Sequence, residues 1–254
     1  MKSYNIKFVL MLFVMACTTS HSIYAQQSKV GLISIFIDKN LTGNLNDEVL
    51  KALSGDDFFK FDSISEAFKK SFFATYAPNL PVTFIAEDSI ISKPGYADLG
   101  LGEMNDSNSS RYQTPKGYVY INSRWGSKDK VSITNAFKLL PKDVDFIMIA
   151  YVDFSMVAAG SFGPISFNKM QAYVNFKIMD RTGKQVVSIK EYAKSEDTTT
   201  GVNFSGINFS DVKKLRPLCY QALSKLFLDL EKDLSKDSKK IGKKIAKWHK
   251  KNKK

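Results

Sequence analysis

Two adjacent carboxylate pairs, Asp56-Asp57 and Glu87-Asp88, are the residues whose types most invite a chemical role. Two acidic side chains can divide acid and base work across a glycosidic bond. Neighbours in sequence rarely face one another across a substrate, however, and a helix cap and a strand-end turn account for these pairs equally well. Histidine, the usual proton carrier near neutral pH, occurs twice, as His21 near the start and His249 among lysines near the end. The long stretch between them has none, which removes Ser-His-Asp and Cys-His hydrolysis and histidine-ligated zinc. No G-x-x-x-x-G-K-[ST] phosphate loop occurs, and the oxygen-rich run NDSNS at 105–109 lacks the ligand spacing of a calcium loop. The expectation is no catalytic, cofactor or metal site, with an unrecognised carboxylate-dependent enzyme as the alternative.

The other available chemistry is charge. The chain ends KKIGKKIAKWHKKNKK, and from Lys232 to Lys254 it carries 11 lysines against Asp233 and Asp237, a net +9 of the total +12. With Lys2 and Lys7 set aside, residues 26–231 hold 24 basic against 23 acidic side chains, so the body is close to neutral. A nucleic-acid domain would carry basicity on its folded face, so that partner is set aside. Ile241, Ile245 and Trp248 recur at spacings of four and three and prolong a stripe containing Leu230 and Leu234. An amphipathic tail over 236–254 is therefore expected, with Lys239, Lys240, Lys243, Lys244, Lys247, Trp248, Lys250 and Lys251 as candidates for contact with an anionic membrane or a polyanion. A solvated charge run is the competing reading.

What the tail can meet depends on the other end. Lys2 and Lys7 precede an apolar run from Phe8 to Ala16 and then small and polar residues, the layout of a secretory signal. That run is shorter than the ~20 residues of a membrane-spanning helix. Cleavage is expected after Ala25, and a lipobox-like Val14-Met15-Ala16-Cys17 makes lipidation at Cys17 the alternative. Export to the periplasm or outer membrane follows, or release to the exterior. After cleavage at Ala25 only Cys219 remains, in an apolar helical stripe, so no internal disulfide forms. Residues 26–235 are enough for one domain with a sizeable core.

The elements follow from periodicity. Lys29–Asp38 is β-branched and apolar almost without a break, as a strand covered on both faces would be. A helix from a Ser63/Glu66 capping pattern runs to Pro78. Pro81–Glu87 reads as a second strand, 92–117 as a long polar loop, Tyr118–Asn122 as a short strand and Thr134–Leu140 as a short helix. In DVDFIMIAYVDFSMV, Val144, Phe146, Met148, Ala150, Val152, Phe154 and Met156 alternate onto one face. AAGSFGPIS reads as a loop into a strand Met170–Met179, and Asp180-Arg181-Thr182-Gly183 turns that strand into Gln185–Ala193. The last helix starts near Asp211, late or kinked at Pro217. This order means an α/β sandwich, a mixed sheet of about five strands with helices packed on it.

Asp143-Val144-Asp145-Phe146-Ile147-Met148-Ile149-Ala150, followed by Val174–Met179 and Asp180-Arg181-Thr182-Gly183-Lys184-Gln185-Val186-Val187, resembles the core of a bacterial envelope superfamily. That superfamily includes the curli secretion-channel lipoprotein, the outer-membrane lipoprotein activators of peptidoglycan synthases and the amino-terminal domain of the Tol-system β-propeller protein. The resemblance implies a non-enzymatic assembly, scaffold or regulatory module whose partner is an envelope protein or cell-wall polymer, with no catalytic residues to carry over. A secreted protein that binds anionic surfaces is the other reading. The channel's long amphipathic hairpins have no counterpart in a polar 92–117 loop or a short AAGSFGPIS connection.

Overall fold

In the computed structural model the described residues are 28–39, 61–101, 111–121, 129–202 and 212–252. The signal segment with Cys17 and Ala25, Asp56 and Asp57, and the NDSNS run all lie outside them.

The sheet is mixed and follows the order β2-β1-β4-β5-β6, with β3 alongside β1 and β7 alongside β5. Strand β1 (Lys29–Asp38) runs parallel to β4 (Val144–Phe162) and to the two-residue β2 (Thr83–Phe84), and antiparallel to β3 (Tyr112–Gln113). From β4 the chain turns back as β5 (Ile165–Asp180) and again as β6 (Gln185–Lys194). Strand β7 (Thr199–Val202) continues along the same edge of β5. The expected α/β sandwich is present, as helices on a mixed sheet.

One face carries α1 (Phe61–Ser71, prolonged by a wider turn at Phe72–Tyr76 and a tight one at Ala77–Asn79) and the long α5 (Val212–Asn252). Phe68, Phe72 and Tyr76 bring their rings to within 5.3–6.2 Å of Phe176 on β5. Such aromatic pairs add to the burial of their area. The other face carries the short helices α2 (Asp88–Ile91), α3 (Asp98–Leu101) and α4 (Asp129–Leu139) over β1 and β4. Both faces of β1 are therefore buried, which is why its sequence shows no alternation.

Several expectations need correction. AAGSFGPIS is strand, not loop: β4 runs to Phe162 and β5 resumes at Ile165, with Gly163-Pro164 as the turn. Gly163 has φ +58, and proline is held near −65°. Of the two primed hairpin turns, only the one with a positive angle at its first residue alone suits this pair. Val144 faces away from Phe146 and its partners, because Lys29 pairs with Val144 and Val30 with Phe146, leaving Asp145 as an extra residue. Its carboxylate accepts from Lys29 N at 3.1 Å.

The strand expected over Tyr118–Asn122 is not formed by Tyr118–Ile121, and Asn122 lies outside the described residues. Ser34 Oγ donates to Val119 O at 2.7 Å and accepts from Ile121 N at 3.2 Å, so one side chain of β1 replaces a ladder. Ser63 lies inside a helix already formed at Phe61, so it is not its cap. The strand expected over Pro81–Glu87 shortens to Thr83–Phe84. Pro217 lies inside α5 rather than delaying it.

Candidate functional site: a lysine ridge on a docked helix

Helix α5 is built as a two-sided element. Leu215, Leu218, Cys219, Ala222, Leu223, Leu226, Phe227 and Leu230 recur at three- and four-residue steps and are buried, the pattern of a core-facing helix. Ile241, Ile245 and Ala246 are equally buried. The helix passes through Gly242, which costs ~1 kcal/mol relative to alanine, because the packing on either side outweighs that loss. The tail boundary expected at residue 235 falls within this unbroken helix, and Ile245 belongs to the same core as Val30.

The apolar stripe expected to face lipid is thus consumed by the sheet. Trp248 packs edge-on to Phe146 with centroids 4.8 Å apart, and its Nε1 donates to Asp180 Oδ2 at 2.9 Å. Next to it, His249 Nε2 and Ser28 Oγ lie 2.9 Å apart. One turn earlier than Ile241, the stripe is interrupted by Asp237. That residue is buried, and its Oδ2 accepts from Tyr76 Oη at 2.9 Å. Burial pushes the Asp237 carboxyl above its ordinary range, against the pull of the Tyr76 hydrogen bond and nearby Lys240. Burial also raises the Tyr76 hydroxyl, and the Asp237 charge adds to that.

Asp180 does two jobs at the other side of this contact. Its Oδ1 accepts from Thr182 N, Thr182 Oγ1 and Lys184 N at 2.6–3.1 Å, which shapes the turn in which Gly183 takes φ +74. Its Oδ2 is left to hold Trp248. Burial acts to raise its pKa, but the hydrogen bonds from Thr182, Trp248 and the turn backbone prevail and hold it below the usual carboxylate range. The neighbouring Arg181 binds the carbonyls of Lys142 and Val144 at 2.7 and 2.6 Å, tying the turn to the start of β4. The D-R-T-G segment is therefore a structural clamp.

The outer side of α5 remains as a ridge of charge. Lys239, Lys240, Lys243, Lys244, Lys247, Lys250 and Lys251 are exposed. Lys240 Nζ donates to Ser188 O at 2.7 Å. Upstream, Lys232 and Lys236 pair with Asp229 and Asp233 at 3.2 and 3.0 Å. Among the described residues, no ion pair within 4.0 Å engages Lys239, Lys243, Lys244, Lys247, Lys250 or Lys251. The lysine candidates thus stand together on one rigid surface, whereas Trp248 faces the sheet.

Of the carboxylate candidates, Glu87 and Asp88 are among the described residues. Glu87 lies 3.4 Å from Lys69, which also meets Glu66 at 3.1 Å, while Asp88 is exposed at the start of α2. Burial would lower the Lys69 pKa, but hydrogen bonding to Glu66 and the charge of Glu87 raise it, so the amine stays protonated and is a poor nucleophile or base. Among the described residues no group of three or more metal-ligating side chains occurs, and no helix is long and apolar enough to cross a membrane.

No protein-family model and no curated protein matches the sequence. Solved structures that superpose on it include hypothetical protein CT253 from Chlamydia trachomatis, 9% identical, covering 82% of this chain and 98% of that one, at a TM-score of 0.34. A neuraminyllactose-binding hemagglutinin homolog from Helicobacter pylori is 12% identical, with 87% and 90% covered and a TM-score of 0.38. Lipoprotein GNA1162 from Neisseria meningitidis is 9% identical, with 78% and 99% covered and a TM-score of 0.28. Likeness at this level assigns no residue a role.

Proposed function

We propose that the protein is a non-enzymatic, exported envelope module that serves assembly, scaffolding or regulation by docking on an anionic surface through the α5 ridge. The observation that carries this reading is the set of exposed lysines that have no ion-pair partner among the described residues, held in line by a helix whose opposite side is in the core. Because Ile241, Ile245 and Trp248 are committed to the sheet, the contact is electrostatic, without insertion of apolar side chains. Each lysine near an anionic surface contributes ~1 kcal/mol. The N-terminal signal pattern and the resemblance of the β4–β6 segments to the envelope superfamily support the location.

The test is sedimentation with vesicles of phosphatidylglycerol and of phosphatidylcholine. Retention on the anionic vesicles alone, lost as salt shortens the screening length, is the expected result. Changing Lys243, Lys244, Lys247 and Lys250 together to Gln removes ~4 kcal/mol, about a thousandfold in affinity. Equal binding to both lipids, or binding indifferent to salt, overturns the reading. Retention by purified peptidoglycan with none by either vesicle would assign the ridge to the cell wall.

A further inference from the structure

Among the described residues the sheet leaves several margins unpaired, and two of them are made differently. Strand β6 is the last of the sheet path, and it carries Lys190, Glu191 and Lys194, the charges by which a monomer keeps an open strand from pairing. The other margin is the far half of β4. Strand β1 accompanies β4 only as far as Val152, and from Phe154 to Phe162 the described residues place a strand on one side of it alone, β5. Residues 154–168 contain no Asp, Glu, Lys or Arg, in a chain that is 24% charged. The buried core ends at Met156 and Met170, so the hairpin projects roughly 20 Å beyond it at ~3.3 Å per residue. Phe162 at its tip is 81% exposed and Ile165 is 41% exposed. Strand β7 covers the β5 side of this finger, so of the finger's two long strands it is β4 that lacks a second neighbour among the described residues.

We infer that the free edge of β4, Phe154–Phe162, pairs antiparallel with the same edge of a second copy of the chain. An apolar finger could instead enter lipid, but an unpaired edge in hydrocarbon leaves backbone N–H and C=O groups unsatisfied at several kcal/mol each. Strand pairing satisfies them. The edge is fitted to itself: it bears no charge to repel its copy, and Ala158, Ala159 and Gly160 put no bulk at the crossing. An added Cβ at Gly160 meets nothing within 4 Å. The pairing also keeps the basic ends apart. Trp248 contacts Phe146, so roughly 40 Å of strand separates each ridge end from Ala158, well beyond the screening length of ~10 Å. The bulge at Ala159, where the register shifts between Ala158 and Gly160, adds local twist, which an intermolecular ribbon accommodates.

Sedimentation equilibrium of the protein made from the full chain tests this. A dimer is expected, and Val157→Lys with Ala159→Lys, copying the guarded β6 edge, should return a folded monomer whose melting temperature no longer depends on concentration. Ala159→Cys should crosslink into dimers on mild oxidation. A wild-type monomer at all concentrations, or a dimer that the double lysine variant leaves intact, overturns the inference. A monomer that floats with phosphatidylcholine vesicles and loses this with Phe162→Ser would overturn it in favour of lipid. Neither result bears on the lysine ridge, whose test is salt-dependent binding.

Discussion

The two ends of the β4–β5 pair are opposites in how the chain treats apolar and charged residues. At the Phe146/Asp180 end, a segment that is nearly half lysine buries Ile241 and Ile245 and holds Trp248 by a hydrogen bond to a carboxylate. At the Phe162/Ile165 end, a segment without charge leaves Phe162 in solvent. Composition alone would have exchanged the roles, making the lysine-rich end the loose appendage and the apolar run the core. The difference teaches that a helix can be basic and structural at once, because its sides are read separately, whereas a hairpin extending past its helices has nothing to bury against.

Breaking the docked end should produce the largest effect. Ile245→Asp removes apolar burial and places a carboxylate under the helix without a partner. It should cost more than about 4 kcal/mol, against a typical total of 5–15 kcal/mol. Phe162→Ser at the opposite end should change stability by no more than about 0.5 kcal/mol. Chemical denaturation of the two variants measures both values, and comparable losses would erase the contrast.

A finer cut separates packing from hydrogen bonding at the docked end. Trp248→Phe keeps a ring against Phe146 and removes the N–H that reaches Asp180. A hydrogen bond to a charged group contributes about 1.5–3 kcal/mol, and a loss of that order is expected in denaturant melts. The Asp180 carboxyl should also titrate higher in the variant, which carboxyl NMR shifts would register.

Much of this architecture was legible in the sequence. The unbroken apolar run of β1, the alternation in β4 and the D-R-T-G turn mark their elements because local pattern and tertiary role agree there. Three features were hidden for identifiable reasons. The reach of the hairpin was obscured because Gly and Pro signal loops, although one such pair suffices to close a turn. Strand β7 and β3 are short and owe their pairing to neighbours distant in sequence. The docking of the tail was hidden because the spacing of Ile241, Ile245 and Trp248 is the same whether the stripe meets a sheet or a membrane, and because Asp237 interrupts it. That break is visible only as a misplaced charge until Tyr76, 161 positions earlier in the chain, is brought within 2.9 Å. A carboxylate on the apolar side of a helix is a signal that a buried donor waits opposite, and it was available from spacing alone.

The smallest expected effect concerns the pH response of the docked end, where its two carboxylates act with opposite signs. Asp180 titrates below its ordinary range, so its contribution is complete above the unfolded-state value and is lost as pH falls through that value to the lower folded one. Asp237 titrates above its ordinary range. It costs nothing in acid, where both states hold the proton, and it takes stability away as pH rises from the unfolded value through the folded one. Asp237→Asn keeps an acceptor for Tyr76 without the buried charge. It should therefore raise stability near neutral pH by less than about 1 kcal/mol, with no gain in acid. Melting temperatures of both proteins across the acid range measure this, and a gain that persists below the carboxylate range would show that Asp237 acts through packing rather than through its charge.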